Sequence, residues 1–226
     1  MAVTILDREL YTVAEAARLL RVPPRTLHNW LEGNVMRGRA YAPVIRVAST
    51  GSDTVTWGEF IEAAFLAEYR RVRRVPLQHI RPVIDDLRDR YGIPYPLAHY
   101  QPFVADRELI ISDPEGGPDR SKPLIAHRKQ QLLLAIDEFI GKVDFDNDVA
   151  LRLWPEGRRA TVTIDPDVAF GLPVVRAART EVIFEMFEAG DSMELIASGL
   201  DLTTSQVEDA IRFETRRDPV TVSTAA

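Results

Sequence analysis

Apolar residues recur at helical spacing near the start of the chain, stop at a pair of prolines and begin again. Val13, Ala16, Ala17 and Leu20 share one face. Ahead of them Thr12 and Glu15 form a capping box, in which hydroxyl and carboxylate satisfy two orphan amides. The pattern predicts a helix over residues 13–21. Val22-Pro23-Pro24 ends it, because the residue before a proline is pushed toward extended geometry and proline has no amide donor. Pro24 can open a second helix at its first position, which then runs Pro24–Glu32 to Gly33-Asn34 with Leu27, Trp30 and Leu31 facing the core. Two helices joined by a tight turn are a helix-turn-helix candidate, whose second helix would enter a DNA major groove. Arg25, Thr26, His28 and Asn29 remain on its outer face, all able to reach base edges or phosphates. Arg18 on the first helix and Arg37 and Arg39 beyond the second are further candidate DNA contacts. A hairpin or wing is expected over residues 41–47 and 54–57, then a helix over 58–74 ending in four arginines.

Further along, residues 77–91 read as an amphipathic helix with Ile80, Ile84 and Leu87 on one stripe and Pro82 near its start. Pro94, Pro96 and Pro102 force an irregular run. Leu109-Ile110-Ile111 is a strand candidate, residues 113–119 are turn chemistry, residues 128–140 are helical, and Phe145-Asp146-Asn147-Asp148 is a tight turn. Residues 150–154 and 160–164 alternate around Pro155-Glu156-Gly157-Arg158, which predicts a β-hairpin. Three helical patterns follow. The first covers 180–189 and closes at Gly190; Asp191 with Glu194 starts the second and Gly199 stops it; Thr203 with Gln206 caps the third, which buries Val207, Ala210, Ile211 and Phe213. Ser205, Glu208, Asp209 and Arg212 are left outside as an acidic face that phosphate would repel, so protein contact or dimer formation is the better reading there. The resulting class is α+β, mainly α: a winged helix-turn-helix in 1–75, a mixed segment in 76–148, and in 149–226 a β-hairpin followed by a three-helix domain with a flexible tail.

Composition narrows the function. With 46% hydrophobic and 27% charged residues among 226, the chain falls in the globular range. It has no cysteine, which excludes disulfides, thiolate metal sites and cysteine nucleophiles. His28, His79, His99 and His127 lack metal-ligand spacing, and neither a G-x-S-x-G elbow nor a phosphate-binding glycine loop is present. No cofactor, no metal and no enzyme activity are therefore expected. No apolar run approaches the ~20 residues of a bilayer span, so the expected location is the cytoplasm, with no membrane partner. The net charge of −6 hides an asymmetry: residues 1–82 carry 12 basic and 8 acidic residues, and the remainder 16 basic and 26 acidic. A basic N-terminal part on an acidic chain is one pattern of a nucleic-acid reader fused to a module that binds elsewhere; chance asymmetry between solvated surfaces is the other reading.

The strings Tyr11-Thr12-Val13-Ala14-Glu15-Ala16-Ala17-Arg18-Leu19-Leu20 and Pro24-Arg25-Thr26-Leu27-His28-Asn29-Trp30 resemble the MerR-like and excisionase-like winged helix-turn-helix families, with Pro23 where those usually carry serine or threonine. A packing module that no longer touches DNA is the alternative. Residues 150–215 resemble a trihelical family of unknown function that occurs as the antitoxin of VapBC-like pairs, through Asp165, Pro166, Gly171, Pro173, Val174, Val175, Arg176, Arg179, Val182, Gly190, Ser192, Glu194, Ile196, Leu202, Thr203, Val207 and Ala210. Leu172 and Ala177-Ala178 depart from the usual Lys and Gly-Thr. The lost glycine matters where its backbone needs positive φ. The resemblance implies a VapB-type antitoxin that neutralises a cognate PIN-domain ribonuclease, binds operator DNA to repress the shared operon, and forms a homodimer. PIN-type nucleases gather carboxylates, so Arg176, Arg179, Arg216 and Arg217 are candidate toxin contacts through guanidinium forks; the alternative for Arg176 and Arg179 is a purely local role. The alternative function is a stand-alone MerR-like transcription regulator with a C-terminal dimerisation or ligand domain.

Overall fold

The computed structural model describes residues 4–36, 38–73, 80–100 and 137–216. Expectations for Arg37, Arg74, His79, His127, Arg217, the 109–111 strand, the 113–119 turn, most of the 128–140 helix and the tail lie outside them. The chain divides into two compact units, Met1–Ile140 with Phe145–Ala150 and Gly141–Asp144 with Leu151–Ala226. The described part is mainly helical with small antiparallel sheets, an α+β fold. No described helix is long and apolar enough to cross a membrane.

The first unit runs β1 (Glu9–Thr12), α1 (Val13–Leu20), α2 (Pro24–Glu32), β2 (Asn34–Met36), β3 (Arg39–Tyr41), β4 (Thr54–Thr56), α3 (Trp57–Arg73) and α4 (Arg81–Tyr91). The capping box of α1 forms as expected: Glu15 N donates to Thr12 Oγ1 at 3.2 Å and Thr12 N to Glu15 Oε2 at 2.8 Å. Arg21 then turns the chain with φ 54, and Pro24 opens α2. α1, α2 and β4 pack on α3, which is buried on every side from Trp57 to Ala67. Ile80, Ile84 and Leu87 are buried on α4, and Pro82 sits in its first turn. Two later stretches complete this unit. Phe139 meets Phe65 edge-on at 5.3 Å, and Trp57 Nε1 donates to Ala150 O at 2.7 Å.

The wing lies elsewhere than the alternation of residues 41–47 predicts. It is the β2–β3 hairpin, Met36 opposite Arg39, with Gly38 at φ 74 in the two-residue turn. Thr54–Thr56 pairs with β1 instead. Residues 41–47 contain Pro43, which cannot donate to a ladder, and their apolar members Val44 and Ile45 are buried as anchors of a loop.

A second correction concerns residues 143–164. β5 (Val143–Asp146) pairs with β6 (Val149–Leu153), turning on Asn147 (φ 46) and Asp148 (φ 75), so Phe145 and Asp146 end a strand. The expected hairpin of 150–154 with 160–164 reduces to one bridge between Leu153 and Ile164. In the second unit β7 (Val162–Thr163), β8 (Val174–Val175) and β9 (Ala178–Arg179) form a three-stranded antiparallel sheet, and α5 (Thr180–Glu188), α6 (Met193–Leu200) and α7 (Thr204–Thr215) follow. Their core is hydrocarbon: Val162, Val175, Ile183, Ile196, Val207 and Ala210 are fully buried, with Ile211 and Phe213 beside them.

The Thr203–Gln206 capping box forms at α7. At α6 the cap is Ser192 rather than Asp191, its Oγ accepting from Leu195 N at 3.2 Å. Gly199 does not stop α6, which continues to Leu200 and ends on Asp201 at φ 53. Asp209 is buried, accepting from Thr161 N at 2.9 Å and Thr161 Oγ1 at 3.0 Å. Arg212 donates to it at 3.1 Å and to Glu208 at 2.6 Å, so the expected acidic face of the last helix is largely neutralised.

Candidate functional site

α1 and α2 point their N-terminal ends into one groove of about 800 Å³, lined by Thr12, Val13, Ala14, Pro24, Arg25, His28, Asn29 and Asp53. Each N-terminus carries the positive end of a helix dipole, which favours phosphate, while amides of the first turns are already taken, Val13 N by Asp53 O, Glu15 N by Thr12 Oγ1 and Thr26 N by Pro23 O. Arg25 and His28 are exposed on α2, and Thr26 and Asn29 half-buried. Among the described residues no hydrogen bond or ion pair ties the side chains of Arg25, His28 and Asn29. Of the sequence-predicted outer face, Arg25, His28 and Asn29 thus line this groove and Thr26 does not. Arg18 is exposed on α1, and Arg39 is exposed on the wing with its guanidinium 5.5 Å from the Tyr41 ring centre. Pro23 offers no side-chain cap to α2; its carbonyl accepts from Thr26 N at 2.8 Å. Glu15 at the start of α1 is held below the usual carboxylate range by the Thr12 amide and hydroxyl.

What holds α2 in place could not be read from periodicity. One of its last carbonyls is capped from the loop: Val44 N and Ile45 N both donate to Trp30 O, at 2.8 and 3.0 Å. Arg46 is buried behind them. It donates to Glu59 Oε1 at 2.7 Å, Thr50 Oγ1 at 2.8 Å and Thr54 O at 2.7 Å, and it also pairs with Glu32, the last residue of α2. Burial disfavours the Glu32 carboxylate, but bonds from Ser49, the Gly51 amide and Arg46 outweigh it and bring the carboxyl to about 2. A second buried cluster ties α4 to α3. Arg88 reaches Glu62 at 3.4 Å, the carbonyls of Val44 and Ile45, and Pro94 O, while Glu62 accepts from Leu97 N at 3.1 Å. Complete burial pushes Glu62 up to about 8 against the pull of Arg88 and the Leu97 amide. α2 therefore rests on two Arg–Glu clusters whose members lie far apart in sequence.

In the second unit Arg176 and Arg179 share the β8–β9 hairpin, with Arg179 opposite Val174. Arg176 takes φ 57 at the turn and donates to Asp201 O at 2.8 Å, bonding one of the last carbonyls at the C-terminus of α6. Ala177, in the place of the usual glycine, is not among the positive-φ residues, so the lost glycine costs no backbone strain. Arg179 is exposed, and its side chain has no hydrogen bond or ion pair among the described residues. Arg216 follows α7 and pairs with Glu156.

Two family models match the chain. One is described as "Putative DNA-binding HTH domain" and covers residues 9–84; the other is "Protein of unknown function (DUF433)" and covers residues 162–213. The chain is 33% identical to uncharacterized protein Rv2308 of Mycobacterium tuberculosis, over 94% of this chain and 93% of that protein. It is 30% identical to the same organism's "Putative antitoxin VapB45", over 91% of this chain and 93% of that protein. The crystal structure of Rv2018 from M. tuberculosis superposes with a TM-score of 0.69 at 24% identity, covering 92% of this chain and all of that one, which shows the shared fold. A helix-turn-helix unit followed by a DUF433 unit, in that order and over nearly the full length of both relatives, places the chain in the family of VapB-type antitoxins with an N-terminal helix-turn-helix.

Proposed function

We propose that the chain is an antitoxin that binds and neutralises a cognate PIN-domain ribonuclease and represses its own operon by binding operator DNA as a homodimer in the cytoplasm. One observation carries the reading: a recognition helix with an uncommitted outer face is joined in one chain to a DUF433 unit, in a family that includes antitoxin VapB45. DNA contacts are assigned to Arg18, Arg25, Thr26, His28, Asn29, Arg37 and Arg39. Toxin contacts are assigned to Arg176, Arg179, Arg216 and Arg217, laid as forks over carboxylates of the nuclease. Arg176 and Arg216 would exchange their present partners Asp201 and Glu156 for the toxin, whereas Arg179 has no such bond to give up. The role needs no catalytic group, metal or cofactor of the chain's own.

A band-shift titration of the full chain against DNA upstream of its gene tests the first half. Arg25→Ala with Asn29→Ala should weaken binding, each good bidentate contact carrying about 1–3 kcal/mol of discrimination, without changing the fold; equal affinity would remove α2 as the reader. Co-expression with the neighbouring ribonuclease tests the second. Growth that is not rescued, alongside intact operator binding, would point to the stand-alone regulator.

A further inference from the structure

A side chain with a Cβ is disfavoured in the left-handed region, and a bulky apolar one has no local hydrogen bond to offset the cost. The second unit nonetheless holds Ala169 at φ 49 and Phe170 at φ 58 and ψ 34, followed by Gly171 at φ 78. Phe170 is 80% exposed, so core packing does not account for it. The backbone beneath it is fixed. Gly171 N donates to Val168 O at 3.0 Å, Leu172 N to Ala169 O at 3.1 Å and Val168 N to Asp165 O at 3.0 Å. Asp165 is itself buried, accepting from Asp167 N at 2.9 Å and paired with Arg152 at 2.8 Å. A bulky residue that its surroundings hold in the left-handed region, at a position without packing value, is a candidate for function. An aromatic ring displayed on a rigid turn also loses little freedom on docking.

The neighbouring chemistry indicates what it docks into. Thr180 N donates to Pro173 O at 3.0 Å and Arg179 lies opposite Val174, so Arg179, exposed and with no side-chain partner among the described residues, sits at the base of the hairpin that Phe170 leads into. We infer that Phe170 is the apolar anchor of a protein-docking surface on this unit: the ring seats in an apolar pocket whose rim carries carboxylates, and Arg179 pairs with that rim. Buried aromatic and arginine anchors of this kind dominate interface energetics. Identifying the pocket's owner as the ribonuclease toxin rests on the function proposed above.

The test uses the full chain and the neighbouring ribonuclease in titration calorimetry, with thermal melts of each variant alone. Phe170→Asn keeps a residue that tolerates the left-handed conformation, so it should leave the melting temperature unchanged or raised and weaken ribonuclease binding at least tenfold. Arg179→Ala should weaken binding severalfold and flatten its salt dependence. Unchanged affinity of the Asn variant would overturn the anchor while leaving the antitoxin reading intact. A clear fall in its melting temperature with affinity retained would overturn it too, by making Phe170 a folding residue. Conversion of a wild-type dimer to a monomer by the same substitution would assign the ring to a second copy of the chain and refute the toxin as occupant. Failure of the wild-type chain to bind the ribonuclease would defeat the antitoxin reading and this inference with it.

Discussion

Both units have apolar cores, but they differ in how much charge they bury beside them. The first buries charge: Arg46 between Glu32 and Glu59, and Arg88 beside Glu62. The second buries hydrocarbon from Val162 to Phe213 and keeps most of its ion pairs, such as Arg212–Glu208, at the surface. A hydrocarbon core tolerates small slips, since burial free energy follows area and not direction. A buried guanidinium does not, because every donor must meet an acceptor. The unit that matches the helix-turn-helix family model is thus the one whose second helix is fixed by directional bonds.

The largest expected effect is on the ionic side. Arg46→Ala would leave Glu32 and Glu59 buried without their cation, and losing one partner of such a pair costs about 3–5 kcal/mol. Hydrogen exchange should then show α2 and the 42–53 loop losing protection. Retention of wild-type protection there would mean that the cluster does not fix the helix.

A second contrast is in pH. Glu62 is raised to about 8 on folding, so its contribution is fully present below its ordinary value and is lost as pH rises toward 8. Glu32 is lowered to about 2, so its contribution is present above its ordinary value and is lost as pH falls toward 2. Exchange protection of α3 should therefore decline on both sides of mildly acidic pH. Glu62→Gln, which keeps an acceptor for the Leu97 amide, should remove the alkaline limb alone; an unchanged limb would show that another group causes it.

Smaller effects belong to the second unit. Ile183→Val deletes one methylene from a fully buried site and should cost about 0.5–1.5 kcal/mol, with no dependence on pH between 5 and 9, roughly the range in which buried carboxylates titrate. The smallest sharpens the comparison by removing the same device from each unit. Thr12→Ala and Thr203→Ala each delete a capping box and should each cost about 1 kcal/mol by denaturant unfolding. A cost several times larger at Thr12 would show that local caps too are tied into the ionic network.

Devices that work within one helical turn were legible. Thr12–Glu15, Thr203–Gln206, the proline start of α2 and the burial of Leu27, Trp30 and Leu31 follow from spacing alone. Strand partners were not, because alternation states which face is buried without naming the neighbour: β4 chose β1, and β6 chose β5. Arg46 was one arginine among many, its partners 14 and 13 positions away. Asp209 failed for the same reason, since the group that buries it, Thr161, is 48 residues distant. In the candidate site, the outward residues of α2 followed from the helix face, while the left-handed turn at Phe170 left no trace in composition.

The bond from Trp57 to Ala150 spans 93 residues, and it has a consequence for the order of synthesis. α1, α2 and α3 all leave the ribosome long before the acceptor for Trp57 exists. By the time residue 150 arrives, residues 141–144 of the second unit have already been made, and the remainder begins at Leu151. The polypeptide passes between the units three times within ten residues, so no single cut yields two whole pieces. A fragment ending at residue 148 would carry every residue of the helix-turn-helix and still leave the indole of Trp57 without the carbonyl it bonds.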